Sequence, residues 1–169
     1  MIGQTERAIY QENPNFAEEL RLRMGPLREQ WESHGPGMLA AVHRLSLWPL
    51  VDSAVTVVLV HPVLGGAGQS YPEYDQVLLE AVLTNSYSEL PETVRLAWLI
   101  SRIAFTKLSL ARMPGRLPWI APLATLAICL EAAESLNLVQ FNPHTIQLAL
   151  RHWAIETPAD STASAIALA

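Results

Sequence analysis

Apolar residues first fall into a regular rhythm at Phe16, Leu20, Met24, Leu27 and Trp31, spaced by four, four, three and four. That spacing puts them on one face of a helix, with Glu18, Arg21, Arg28, Glu29 and Glu32 turned away. Gly25-Pro26 predicts a kink, because Pro26 has no N–H to offer the carbonyl of Leu22. Gly35-Pro36-Gly37 predicts the end of this helix, followed by a shorter one through Met38, Leu39, Val42, His43 and Leu45.

The rhythm then changes from helical to extended. Ala54–Val60 is a continuous β-branched run, predicted as a buried strand. Asp75–Val82 has the length of a second strand, and sequence neighbours of this kind pair most simply as an antiparallel hairpin. Two strands alone are marginal, so helices must cover them. From Pro91 a helix is predicted, opened by Glu89 and Glu92 and stopped at Pro114-Gly115. Its apolar residues surround most of its circumference and leave Arg95, Arg102, Thr106 and Ser109 in a narrow stripe, the pattern of a central helix.

A further helix is predicted from Pro122 to about Asn137. The last is signalled by Asn142 as N-cap and Pro143 at the first position, with Ile146, Ala149, Leu150 and Trp153 facing inward. Leu148 and Ile155 fall on its opposite face with His144, Arg151 and His152. The expected architecture is α+β and predominantly helical, a short antiparallel β-hairpin covered by about five helices. Residues 1–169 read as a single domain: a loose arm over 1–13, a globular core over 14–156 and a tail over 157–169.

Composition narrows the function classes. Only 16% of the residues are charged and 50% are apolar, which favours a compact body with an additional buried contact, to a protein partner or a second copy. A net charge of −5 without a basic stripe argues against nucleic acid. The uncharged runs 53–72 and 117–130 are broken by Gly and Pro, so no transmembrane segment is expected. No basic, then apolar, leader opens the sequence, which points to the cytoplasm. Cys129 is the only cysteine and sits in an apolar helical run, where a buried reduced thiol is expected.

Candidate chemistry gathers around the glycine-rich stretch 63–71. Gly65, Gly66 and Gly68 could expose amides to an anion, but the Gly-Lys-Ser/Thr ending of a phosphate loop is missing. If the two strands form a hairpin, His61 comes near Glu73, Asp75 and Glu80, with Tyr71 and Tyr74 at the mouth and Arg102 beneath. An enzyme or small-molecule binder using this region is the alternative function. Arg95 and Arg102 are expected to neutralise Glu131 and Glu134 on the neighbouring helix. His144 and His152 stand about 12 Å apart along their helix, too far to share a metal. No metal set and no cofactor is therefore expected.

The order strand, glycine-rich loop, strand, Glu80-Ala81-Val82-Leu83-Thr84-Asn85, then a helix with Thr93-Val94-Arg95-Leu96-Ala97-Trp98-Leu99, resembles the active-site region of zincin-type metallopeptidases. It spans roughly residues 54–113 and rests on element order. The family's helix carries His-Glu-x-x-His, whereas this one offers no histidine, so neither metal ligands nor general base can be carried over. The resemblance implies a degenerate relative without peptidase chemistry. The preferred reading is a non-catalytic domain acting through protein contacts, with Trp48, the Gly66 loop and the Leu148/Ile155 face as its contact regions.

Overall fold

The computed structural model describes residues 11–12, 14–47, 54–62, 66–110 and 117–155. Among them the chain forms α1 (Phe16–Ser46), β1 (Thr56–Val60), β2 (Gly68–Tyr71), a 3₁₀ turn (Pro72–Tyr74), β3 (Gln76–Glu80), α2 (Glu92–Leu110), α3 (Leu117–Ser135) and α4 (Pro143–His152). The fold is a predominantly helical α+β one, as the sequence leads one to expect. Among the described residues no helix is long and apolar enough to cross a membrane.

Among the described residues there are four helices where about five are expected, because α1 runs unbroken through Pro26 and Pro36. An interior proline costs about 3 kcal/mol or more. Against this, α1 buries Leu27 just past Pro26 and Met38, Ala41 and Val42 beyond Pro36, at about 1.5–3 kcal/mol for each large side chain. Gly35 also helps, since the Trp31 ring lies where a Cβ at position 35 would be, 2.4 Å from its nearest ring atom. In the same way α3 starts earlier than expected, at Leu117, and carries Pro122 inside it. The Pro122 carbonyl also accepts from Trp98 Nε1 at 3.1 Å and Thr125 Oγ1 at 3.0 Å, which ties this part of α3 to α2.

The predicted antiparallel hairpin is not what forms. The sheet has the order β1-β3-β2, with β1 parallel to β3 and β2 antiparallel to β3. Part of the glycine-rich stretch is itself a strand, and the tight connection through Pro72–Tyr74 and left-handed Asp75 gives β3 its hairpin partner. β1 must then take the other side of β3. Consequently β3 is the buried centre, and β1 is a half-exposed edge where a buried strand was expected.

One sheet face packs on α2. Val77 and Leu79 are fully buried there, and a Cβ on Gly68 would stand 2.5 Å from Leu99 Cδ1, so only glycine permits β2 to lie this close to the helix. Ser70 Oγ donates to the Leu99 carbonyl at 2.6 Å and reinforces the contact. α2 is central, as its all-round apolar pattern predicts: it packs on α1, α3 and the sheet, and residues 92–101 are all buried. α4 begins as predicted, with Asn142 Oδ1 accepting from Thr145 N at 3.0 Å. Cys129 is fully buried, and burial pushes its thiol up to about 12.

Candidate functional site

Polar groups converge where the first turns of α2 meet the end of β3 and the Gly66 loop. Asn85 Oδ1 accepts from Glu92 N at 3.0 Å and so satisfies one of the free amides that open α2. Arg95, three residues further, is only 1% exposed although it carries a guanidinium. Nη1 donates to the Ala67 carbonyl at 3.0 Å and Nη2 to the Glu80 carbonyl at 2.8 Å, while Nη2 also pairs with Glu92 Oε2. One side chain thereby joins the glycine loop, the central strand and the helix.

The loop amides do bind an anion, and it is an internal one. Gly66 N and Ala67 N both donate to Glu80 Oε2, at 2.7 and 3.1 Å. Gly66 is required for this bend: its φ is +140°, and a Cβ there would come within 3.3 Å of the His152 carbonyl and 3.4 Å of Arg95 Nη1. The amide cradle suggested by the glycines is thus filled by the chain's own carboxylate.

Beside this cluster lies a cleft lined in part by Gln30, Asn85, Glu92 and Arg95, with a volume of about 10 Å³, room for a group the size of one water. Gln30 Oε1 and Arg95 Nε are buried there without a hydrogen-bond partner among the described residues.

Burial raises the Glu92 carboxyl above its ordinary value, with Arg95 pulling the other way, and burial lowers Arg95. Between the ordinary glutamate value and the raised one, the folded chain holds one proton more than the unfolded chain. Stability conferred by this group is therefore present below the unfolded value and falls as pH rises through the folded one. Urea midpoints measured across that window should decline more steeply in the wild type than in Glu92→Gln, in which this contribution is gone.

The sequence-named residues do not form one site. Because β1 runs parallel to β3, Thr56 lies beside Gln76 and Val60 beside Glu80. His61 therefore sits at the opposite end of the strands from Asp75, about 20 Å away along them at 3.3 Å per residue. Asp75 pairs with Lys107, and Tyr74 stands out at 76% exposure in the adjoining turn, with Tyr71 just before it. His61 stacks on Phe16 and lies 3.4 Å from Glu19 on α1, while its Nδ1 approaches the Pro62 carbonyl at 3.1 Å.

Arg102 lies over the Trp98 ring, its guanidinium 5.0 Å from the centroid, and burial lowers its pKa. Arg95 turns toward Glu92 and the β3 end, leaving Glu131 and Glu134 exposed, with Glu134 accepting from Phe141 N at 2.9 Å. Leu148 and Ile155 are half-buried against the core, and the Tyr87 ring covers His152 at 4.1 Å, so this face of α4 is largely occupied. Trp48 and Gly65 lie outside the described residues. Among the described residues no group of three or more His, Cys, Asp and Glu is placed to hold a metal ion.

Sequence reasoning missed the Arg95 cluster. Its signal was present: Glu92 and Arg95 are three apart, one helical turn, at the head of a run otherwise almost free of charge. No protein-family model, no curated protein and no solved structure matches the chain.

Proposed function

We propose that this chain is a non-catalytic cytoplasmic domain that acts by binding other polypeptides, on a scaffold whose element order is that of a degenerate zincin-type domain. One observation carries the reading. The groups best suited to chemistry, the loop amides, Glu80, Glu92 and Arg95, are engaged with one another and with the main chain, while among the described residues no strand pairs with the outer edge of β1. A buried guanidinium that holds three segments together supports a fold, and an open strand edge supports association.

Other features favour the same reading. Leu22, Leu45, Leu47, Val57 and Leu83 are exposed on a chain with few charges, and Leu47 is 83% exposed. A lone buried thiol held protonated suits a reducing compartment.

The test is reconstitution. The full chain is purified, its mass measured by light scattering, and each candidate partner captured with it is recombined with it in pure form. A defined self-complex or hetero-complex is expected. A strict monomer that reconstitutes with nothing overturns the reading, as does turnover of a substrate that depends on the Arg95 cluster.

A further inference from the structure

We infer that the free edge of β1 is the interface between two copies of this chain, joined antiparallel about a two-fold axis beside Val58 into one continuous six-stranded sheet. The inference rests on the contact-domain reading and names its partner and surface.

Backbone bonding comes first. Thr56 N donates to the Asp75 carbonyl at 2.9 Å and Ala81 N to the Val60 carbonyl at 2.9 Å. With the strand period of two, Thr56, Val58 and Val60 direct both backbone groups toward β3, whereas Val57 and Leu59 direct theirs outward. β1 ends the sheet, so among the described residues nothing pairs with that edge.

The edge is self-complementary. An antiparallel partner set about Val58 places Val57 opposite Leu59 of the second copy, and Leu59 opposite its Val57, each as a doubly hydrogen-bonded pair. Those side chains share the helix-covered face, since Val57 and Leu59 stand in register with buried Val77 and Leu79. On the other face the two Val58 side chains meet across the axis.

The absence of charge favours a second copy as the occupant. A two-fold axis sets each position of the strand near its own copy, so a charged edge strand would repel itself. No Asp, Glu, Lys or Arg occurs anywhere from Ala54 to Pro72. Lysines, prolines and bulges that usually protect an edge are missing from β1 as well.

The decisive variant is Val57→Pro. It removes an outward N–H and leaves the β3 ladder untouched, because Val57 donates nothing to β3. Sedimentation equilibrium of the wild type should show a mass rising to twice that of the chain with concentration. In Val57→Pro the dissociation constant should rise about thirtyfold, for two hydrogen bonds lost across the axis. Amide exchange in the wild type gives a second readout needing no variant: the amides of Val57 and Leu59 should gain protection as concentration rises, while those of Thr56 and Val58 are protected throughout. A wild type that stays monomeric overturns the inference, and so does a dimer whose Val57 and Leu59 amides stay unprotected. If such a monomer still reconstitutes with another protein, the contact-domain reading survives its loss; if it binds nothing, both fall.

Discussion

Replacing Arg95 with methionine is expected to cost about 3–5 kcal/mol, enough to threaten folding of a domain of this size. The side chain holds the carbonyls of Ala67 and Glu80 and the carboxylate of Glu92. Methionine fills much of the volume but takes a donor from all three acceptors; the Ala67 carbonyl keeps Glu80 N, so the unpaired buried carboxylate of Glu92 is the largest part of the penalty. Lysine should rescue little, because a single ammonium cannot reproduce the planar fork that reaches three segments. Urea denaturation of Arg95→Met, Arg95→Lys and the double variant Arg95→Met/Glu92→Leu checks this. The double variant should recover part of the loss, since it removes the orphaned charge. Full stability in Arg95→Met would mean that the buried cluster does not hold the loop, strand and helix together.

Trp98→Ala is expected to cost about 3–5 kcal/mol as well, by a different route. Trp98 is 1% exposed, stacks on Trp153 with ring centroids 5.2 Å apart and donates to the Pro122 carbonyl. Truncation opens a cavity between α2, α3 and the end of α4, takes one donor from the Pro122 carbonyl, which keeps Thr125 Oγ1, and takes the aromatic face from Arg102. Trp98→Phe keeps most of the buried area and loses the N–H, so its cost should approach the smaller value of a hydrogen bond, about 1 kcal/mol, plus a modest packing loss. Thermal or urea unfolding of the pair separates the two contributions.

Both effects fall on α2, where Trp98 is packed in the interior and Arg95 borders only a cleft with room for a group the size of one water. If α2 instead served catalysis, substitutions there would alter turnover without such losses of stability. The stability of the Arg95 and Trp98 variants and the association state of Val57→Pro therefore probe different layers: the former whether the interior is structural, the latter where the molecule meets its partner.

The helices were largely legible. Asn142-Pro143 marks the start of α4 because an N-cap acceptor and a residue lacking N–H are local requirements of a helix end. The all-round apolar pattern of 94–108 likewise identifies α2 as central, because a helix with few polar positions has no face to show to water. Prolines misled at α1 and α3. Their local cost is real, but the burial of Leu27, Met38 and Val42 on one helix, and the use of the Pro122 carbonyl by Trp98 on the other, are gains that no window of sequence contains.

The candidate site was less legible than the fold. His61, Asp75 and Glu80 were grouped on the premise that neighbouring strands pair antiparallel. Once Gly68–Tyr71 takes that place beside β3, β1 lies parallel and His61 is carried to the far end from Asp75. The glycine-rich stretch reads as a hairpin connection with an anion cradle as the lesser alternative, and nothing local in it indicates that its amides hold Glu80.

Local sequence, then, determined where α2 and α4 begin, which helix is central, that the one thiol is buried and that an uncharged β-branched strand exists, because capping, periodicity and hydrophobicity act over a few residues. Tertiary structure alone decided the strand order, the parallel register, the placing of Arg95 among three segments and the exposure of the β1 edge. Those depend on which distant groups compete for the same hydrogen bonds and the same space, and that competition is resolved only when the chain is assembled.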